Sequence, residues 1–407
     1  MSQETRRIIF VDDESNILSS LKRMLRGKRR EWEMAFAGSG EEALAMMAEA
    51  PFDVIVSDMR MPVMDGARLL KIVHDRHPET VRLVLSGYAE LEVAMRAVQV
   101  AHQFLTKPCE PDRLIGTIER VCLLQENLMR PELRQVVASI EGLPSVPRVY
   151  QAICRALADP DASLDDVGAL IEQDPAISVK VLQVVNSSLF SLARPITNIA
   201  EAASYLGLNV LKHITLGIEV FSAFSSDDPN IGDRLECERL HGHATAVFAS
   251  RLMKDKNAQD MAFAAGLLHD IGRLVISTRM PARNREAIQR ALDEEKPLHA
   301  AEVEVLGVSH CAIGADLLRL WGLPYPIIEA ACWHHDPNAV GDRPFSVLDA
   351  VHIADALLLE AAGPHEDARW LDLIHLDEAR VQALGLEDQV EEWREMARQT
   401  LDAEVSV

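Results

Sequence analysis

The chain has 407 residues, of which 48% are hydrophobic and 26% charged, and its formal net charge is −22 at pH 7. That length suffices for two or three domains, each with its own core. So acidic a balance argues against nucleic acid and anionic membrane as partners, because both demand clustered Lys and Arg, and the densest basic run, 22–30, reads as a solvated face.

Six cysteines (109, 122, 154, 237, 311 and 332) show no CxxC spacing. They are expected to be reduced thiols of a cytoplasmic protein. No signal peptide is read ahead of the first strand, and no apolar run approaches the ~20 residues that span a bilayer.

In chain order, short β-branched runs at 8–11, 53–57 and 81–85 alternate with amphipathic segments as far as residue 128. This pattern predicts repeated strand–helix units, that is, an α/β doubly wound parallel sheet. Asp12 and Asp13 end the run IIFVDD, Asp58 ends VIVSD and Lys107 ends QFLTK. All four therefore fall beyond the carboxyl ends of strands, where open sheets of this kind build their sites. Three carboxylates packed together repel one another and call for a cation. Oxygen ligands at this density favour Mg²⁺. One carboxylate can then attack phosphorus while Mg²⁺ and a Lys neutralise the phosphoryl oxygens.

A helix from about residue 111 keeps the apolar stripe Leu114, Ile118, Val121, Leu124 and Leu128, and Pro131 should stop it. The stripe suits either packing on its own sheet or a signal-carrying helix between domains. From about residue 140 the strand signals vanish. Segments 165–173, 176–186, 209–221 and 239–253 carry apolar residues at helical spacing between Asp-Pro, Asn and Gly breakers, which predicts an all-helical second domain. A tail from 376, with periodic Leu384, Val390, Trp393 and Ala397, reads as one or two short helices, packed or free.

Histidine and aspartate recur through this helical region. In MAFAAGLLHDIG a nearly all-apolar helix ends at His269 and Asp270, and a buried carboxylate beside an imidazole is costly unless paired or metal-bound. In PYPIIEAACWHHDP the stripe Ile327, Ile328 and Ala331 runs into His334 and His335, so at least one of those rings should face inward. In HGHATAVFASRLM the spacing 241, 244, 248, 252 makes an inward face and favours His241 over His243. His310 heads a stripe of Ile313, Leu317 and Leu320, and Asp355 interrupts the apolar VHIADALLL. Each alone is usually a satisfied core or surface residue. Together they suit one or two ions of Fe, Mn, Zn or Ni better than Mg²⁺ or Ca²⁺.

Two resemblances follow from these residues. Segment 1–125 resembles the receiver domain of two-component response regulators in Asp12 and Asp13, SDMRMPVMDG around Asp58, LSGYAE with Ser86, and TKP with Lys107. The resemblance implies a five-stranded flavodoxin-like fold and phosphoryl transfer to Asp58 from a sensor histidine kinase. It further implies Mg²⁺ held by Asp12, Asp13, Asp58 and the main-chain carbonyl of Arg60, with Ser86 and Lys107 on the phosphoryl oxygens. Phe104 fits the aromatic switch position of that family or a plain core residue.

Residues 141–375, after a linker helix and loop at 126–140 and before a helical tail at 376–407, resemble the HDOD domain, a relative of the HD metal-dependent phosphohydrolases. The resemblance rests on LPSVPRVYQAI, QDPAISVKVLQVVNSSLF, GLLHDIG and GVSHCAIGADLLRLWGLP followed by HH. It implies an all-α HD-like fold acting as an output module. His241, His269, Asp270, His310, His334, His335 and Asp355 fall in the order of an HD-type ligand set for a transition metal. Arg273 stands where enzymes that open cyclic di-GMP carry a Lys, and implies a phosphate contact; the Gly-Tyr-Pro portion of those enzymes is missing.

Two outputs are therefore expected. One is an HDOD module that binds a protein or nucleotide-like ligand under control of Asp58, and the other is a phosphorylation-regulated phosphohydrolase. The resemblance leaves oligomeric state open, with a homodimer among its implications because receivers commonly pair through their last strand and helices.

Overall fold

A computed structural model of the chain describes residues 5–77, 79–87, 101, 103–107, 109–140, 146–157, 163–186, 196–224, 229–341, 343–363 and 373–405. Two compact units emerge, Met1–Asn127 with Gly322–Tyr325 and Leu128–Trp321 with Pro326–Val407. Among the described residues no helix is long and apolar enough to cross a membrane.

The first unit is an α/β domain whose five parallel strands are β1 (Arg6–Val11), β2 (Trp32–Ala37), β3 (Val54–Ser57), β4 (Val81–Gly87) and β5 (Gln103–Lys107), in the order β2-β1-β3-β4-β5. All four residues of β3 are buried, as expected of a central parallel strand covered on both faces. The edge strand β2, WEMAFA, has only mixed burial and no β-branched run, so periodicity signals it weakly. In register, Val11 of β1 lies opposite Ser57 of β3, so the residues that follow each strand, Asp12 and Asp58, leave the sheet side by side. The chain order reverses between these two strands, which is where such sheets bind ligands.

The helix Pro111–Leu128 ends three residues before Pro131, which then starts a new helix, Pro131–Ser139, at its first turn rather than simply stopping the old one. Its stripe from Leu114 to Leu128 is buried throughout.

Among its described residues the second unit contains helices and no strand. The long helix Pro229–Leu252 packs against Lys256–Leu268, and Val347–Ala362 packs against both. Ile271–Arg279 lies against His310–Leu320 so closely at Gly272 that a Cβ there would stand 1.9 Å from the His310 carbonyl oxygen. The tail packs in the same unit. Val390–Val405 lies on Val347–Ala362 with Trp393 and Ala397 buried, and buried Arg380 donates from Nε to Asp349 at 2.8 Å.

Two local expectations differ from the structure. Leu320 is 54% exposed, since the His310–Leu320 helix ends there and Leu318 takes the inward direction. His243, which the spacing sets off the inward face, is buried as well, as are all residues 242–249 of Pro229–Leu252; its position lies about 200° round the helix from His241.

Candidate functional site

In the first unit the carboxyl edge of the sheet gathers charge. Asp12 and Asp58 are nearly buried, whereas Asp13 is exposed. Lys107 donates from Nζ to Asp12 Oδ2 at 2.7 Å and also to Asp58 Oδ1. The backbone N–H of Arg60 donates to Asp58 Oδ2 at 2.6 Å, and that of Glu14 to Asp12 Oδ1 at 2.9 Å. Burial lifts Asp58 above the usual carboxylate range despite the opposing pull of Lys107. Burial also works against the Lys107 charge, yet its hydrogen bonds to Asp12 and Asp58 leave it above its ordinary value. Ser86 belongs to β4, opposite Thr106 of β5. The Ser86 hydroxyl and the Phe104 ring lie outside the described residues.

The second unit brings together all seven His and Asp residues of the HD-type order. His241 comes from the middle of Pro229–Leu252, while His269 and Asp270 occupy the junction between Lys256–Leu268 and Ile271–Arg279. His310 opens the His310–Leu320 helix, which Ser309 caps, His334 and His335 follow Tyr325–Trp333, and Asp355 sits inside Val347–Ala362. His241 Nε2 is 2.9 Å from Asp355 Oδ1, and His269 Nε2 is 3.5 Å from Asp270 Oδ2 and 3.8 Å from Asp355 Oδ1. Asp270 Oδ1 lies 3.2 Å from His310 Nε2 and 3.4 Å from His334 Nε2, and His335 Nδ1 is 3.7 Å from Asp355 Oδ2.

Three of the rings are held by one nitrogen and aimed by the other. Nδ1 of His269 meets the Gly266 carbonyl at 2.8 Å, Nδ1 of His334 meets that of Ala331 at 3.1 Å, and Nδ1 of His310 meets Glu302 Oε2 at 2.6 Å. Those acceptors take a hydrogen bond from Nδ1 and turn each Nε2 into the cluster. Those three Nε2 atoms, with Asp270 Oδ1, His335 Nδ1 and Asp355 Oδ2, are buried without a hydrogen-bond partner. Orphaned buried polar atoms cost about 1–3 kcal/mol each, so a convergent set of them is a cavity lining that expects a ligand. His241, His269 and Asp270 present ligand atoms all within 4.8 Å of one another, as do His269, His334 and Asp355.

The electrostatics divide the rings. Burial drives His269 down to about 4, which keeps it neutral. Burial likewise opposes the His334 charge, but Cys311, Asp270 and Asp355 overcome it and raise that ring to about 9. Asp355 is held at about 2, since His241 and His269 outweigh its burial, and Asp270 falls well below the usual carboxylate range through His269 and Arg273. The positive charge that the carboxylates draw onto His334 is charge that a bound cation would supply.

Arg273 faces two carboxylates, with Nη1 3.0 Å from Asp270 Oδ2 and Nη2 2.7 Å from Glu238 Oε1. Its contacts therefore fit holding Asp270 in place. His243 is in none of these groups, and burial lowers it to about 4.

Sequence reasoning missed four supporting side chains. Glu238 lies one turn before His241 on the same face, so that spacing alone could have drawn attention to it. Glu302, in LHAAEVEVLG, reads as a surface residue, yet it is 1% exposed and accepts from both Nδ1 and the backbone N–H of His310. His352 donates from Nδ1 to the His334 carbonyl at 2.7 Å while its Nε2 accepts the Asp377 N–H at 2.9 Å. His299 stacks on His335 with ring centroids 4.7 Å apart.

A receiver-like α/β domain is thus joined to a helical domain that carries an HD-type histidine–aspartate cluster. Comparison with known proteins makes this specific. The response regulator receiver domain family matches residues 8–119, and the HDOD domain family matches 143–337. The chain is 29% identical over 240 residues to an uncharacterized protein of Treponema pallidum, covering 56% of this chain and 45% of that protein. It is 34% identical over 150 residues to the DNA-binding transcriptional regulator NtrC of Salmonella typhimurium, covering 36% of this chain and 32% of that one. The chain thus spans less than half the length of these curated relatives. A solved protein of Shewanella amazonensis, described as a candidate phosphohydrolase, superposes with a TM-score of 0.51 at 22% identity, over 68% of this chain and 99% of that one, a likeness of fold. The chain thus carries a response regulator receiver domain followed by an HDOD domain.

Proposed function

We propose that a histidine kinase phosphorylates Asp58 with Mg²⁺ at Asp12, Asp13 and Asp58, and that this controls a transition-metal centre in the HDOD domain whose output is phosphoester hydrolysis. The observation that carries the reading is the set of six inward-facing ligand atoms, on His269, Asp270, His310, His334, His335 and Asp355, that have no hydrogen-bond partner. His241 completes the set through Asp355. When bound, one or two ions of Fe, Mn, Zn or Ni would supply Lewis acidity and a water activated at neutral pH. The chain's own residues do the rest. Glu302 fixes the tautomer and direction of His310, Arg273 and Glu238 fix Asp270, and the apolar walls at Phe221, Leu267 and Leu274 line a hollow that reaches His269 and Asp270.

A second reading, an output that binds a protein or nucleotide-like ligand without turnover, is favoured by the depth of the cluster. Side-chain exposure is 0–2% for His334, His269, His310 and Asp355, and 19% for His241.

The test is metal analysis of the full chain together with a screen of phosphodiester and nucleotide substrates, before and after phosphorylation with a small phosphodonor. Stoichiometric metal and turnover that His269→Ala abolishes support the hydrolase. Turnover should change on phosphorylation in the wild type and stay constant in Asp58→Asn. Metal without turnover, with a partner captured in an Asp58-dependent way, favours the binding output. Metal-free protein overturns the metal centre.

A further inference from the structure

The seven residues of the HD-type order leave out one side chain that shares their cavity. Cys311 follows His310 at the start of the His310–Leu320 helix and is 6% exposed. Its Sγ and one ring nitrogen each of His310, His334 and His335 all lie within 4.8 Å of one another. The inward nitrogens of those three rings are among the buried atoms that lack a hydrogen-bond partner. In a tetrahedral site built with metal–sulfur bonds of about 2.3 Å and metal–nitrogen bonds of about 2.1 Å, neighbouring ligand atoms stand ~3.5 Å apart. The four atoms thus already stand near the spacing that one ion requires.

We propose that Cys311 is a metal ligand, and that with His310, His334 and His335 it forms a thiolate–imidazole position for a zinc-class ion beside the carboxylate–imidazole position at His241, His269 and Asp270. The ligand chemistry assigns the ion. Thiolate with imidazole selects zinc and other borderline-soft ions, whereas carboxylate with imidazole accommodates Mn or Fe as well. Loading the position releases the Cys311 thiol proton to solvent. The cluster accordingly has two unlike halves, and its metal content should be mixed when zinc and a harder ion are both present. The inference deepens the metal-centre reading above, sharing His310, His334 and His335 with it and resting on it for the neighbouring position.

The test is Co²⁺ titration of the metal-stripped full chain, followed by absorption spectroscopy. Expected is a near-ultraviolet thiolate-to-Co²⁺ charge-transfer band that Cys311→Ser removes, while Cys332→Ser, at the other nearby thiol, and His269→Ala both retain it. Absence of the band in the wild type, its survival in Cys311→Ser, or its loss in Cys332→Ser alone overturns the proposal. If Cys311→Ser does not fold, X-ray absorption at the zinc edge of the wild type decides, with one sulfur neighbour at about 2.3 Å expected and a nitrogen and oxygen shell alone contrary to it. Failure of the carboxylate–imidazole position alone looks different. In that case the charge-transfer band appears, and His269→Ala leaves the number of bound Co²⁺ ions unchanged.

Discussion

Asp58 is held by opposing forces whose balance can be measured. Its burial raises the carboxyl above the ordinary range more than Lys107 and the Arg60 N–H lower it. A folded-state value above the unfolded one means that the folded protein holds the proton more tightly. The ionised carboxylate therefore destabilises the fold at every pH above its folded-state value, and the penalty disappears as pH falls through that value toward the unfolded one. Asp58→Asn keeps the shape and removes the charge. In the absence of Mg²⁺ it should raise the melting temperature of the receiver by a few degrees at pH 7.5, about 1 kcal/mol, with the gain shrinking as the solution is made more acid. A lower melting temperature for the variant at neutral pH would mean that the Lys107 bond outweighs burial. The same residue scale shows what a sequence can carry. Asp12, Asp58 and Lys107 were legible because each ends an apolar run, and His269 and Asp270 because they end an apolar helix. Glu302 was not, because its burial is decided by His310 on the next helix, and no local pattern encodes that partner.

At the scale of elements, the close approach of Ile271–Arg279 to His310–Leu320 positions half of the cluster, since one helix begins just after Asp270 and the other at His310. A Cβ at Gly272 would meet the His310 carbonyl oxygen at 1.9 Å and its carbon at 2.7 Å, both backbone atoms that cannot swing aside. Gly272→Ala should therefore force the helices apart and destabilise the domain by about 3 kcal/mol or more, with loss of bound metal. Gly232→Ala provides the contrast, because nothing lies within 4 Å of a Cβ at that helical position and the change should stabilise by about 0.5–1 kcal/mol. Urea unfolding of both variants reads the two signs, and equal effects would refute the packing argument. The helices themselves were visible as 3.6-residue periods, with Leu164–Glu172, Pro175–Val185 and Leu208–Ala223 close to the expected spans. Their mutual packing was not visible, nor was the docking of the tail, which depends on Arg380 reaching Asp349 from 31 residues away.

For the whole molecule, the Mg²⁺ site proposed at the sheet edge and the transition-metal site proposed inside the helical domain would differ in hardness, the first made of carboxylates and the second dominated by imidazoles. Each ion stabilises only the unit that binds it, by RT ln(1 + [L]/Kd), which is about 2.7 kcal/mol at a hundredfold excess over Kd. The tryptophans separate the readouts, because Trp32 is the single tryptophan of the receiver segment and Trp333 immediately precedes His334. A strong chelator of transition metals should therefore lower the temperature at which the Trp333 environment melts and leave the Trp32 transition in place, whereas added Mg²⁺ should raise the Trp32 transition and leave the other unmoved. Variants that retain Trp32 alone, with the remaining tryptophans replaced by Phe, and the reverse, with Trp32 replaced, make each transition visible by fluorescence. Asp58→Asn should abolish most of the Mg²⁺ shift, and His269→Ala most of the chelator shift. A chelator that moved only the Trp32 transition would place the transition-metal site in the wrong unit, and one that moved neither would show that the orphaned nitrogens around Asp270 are satisfied by something other than a metal.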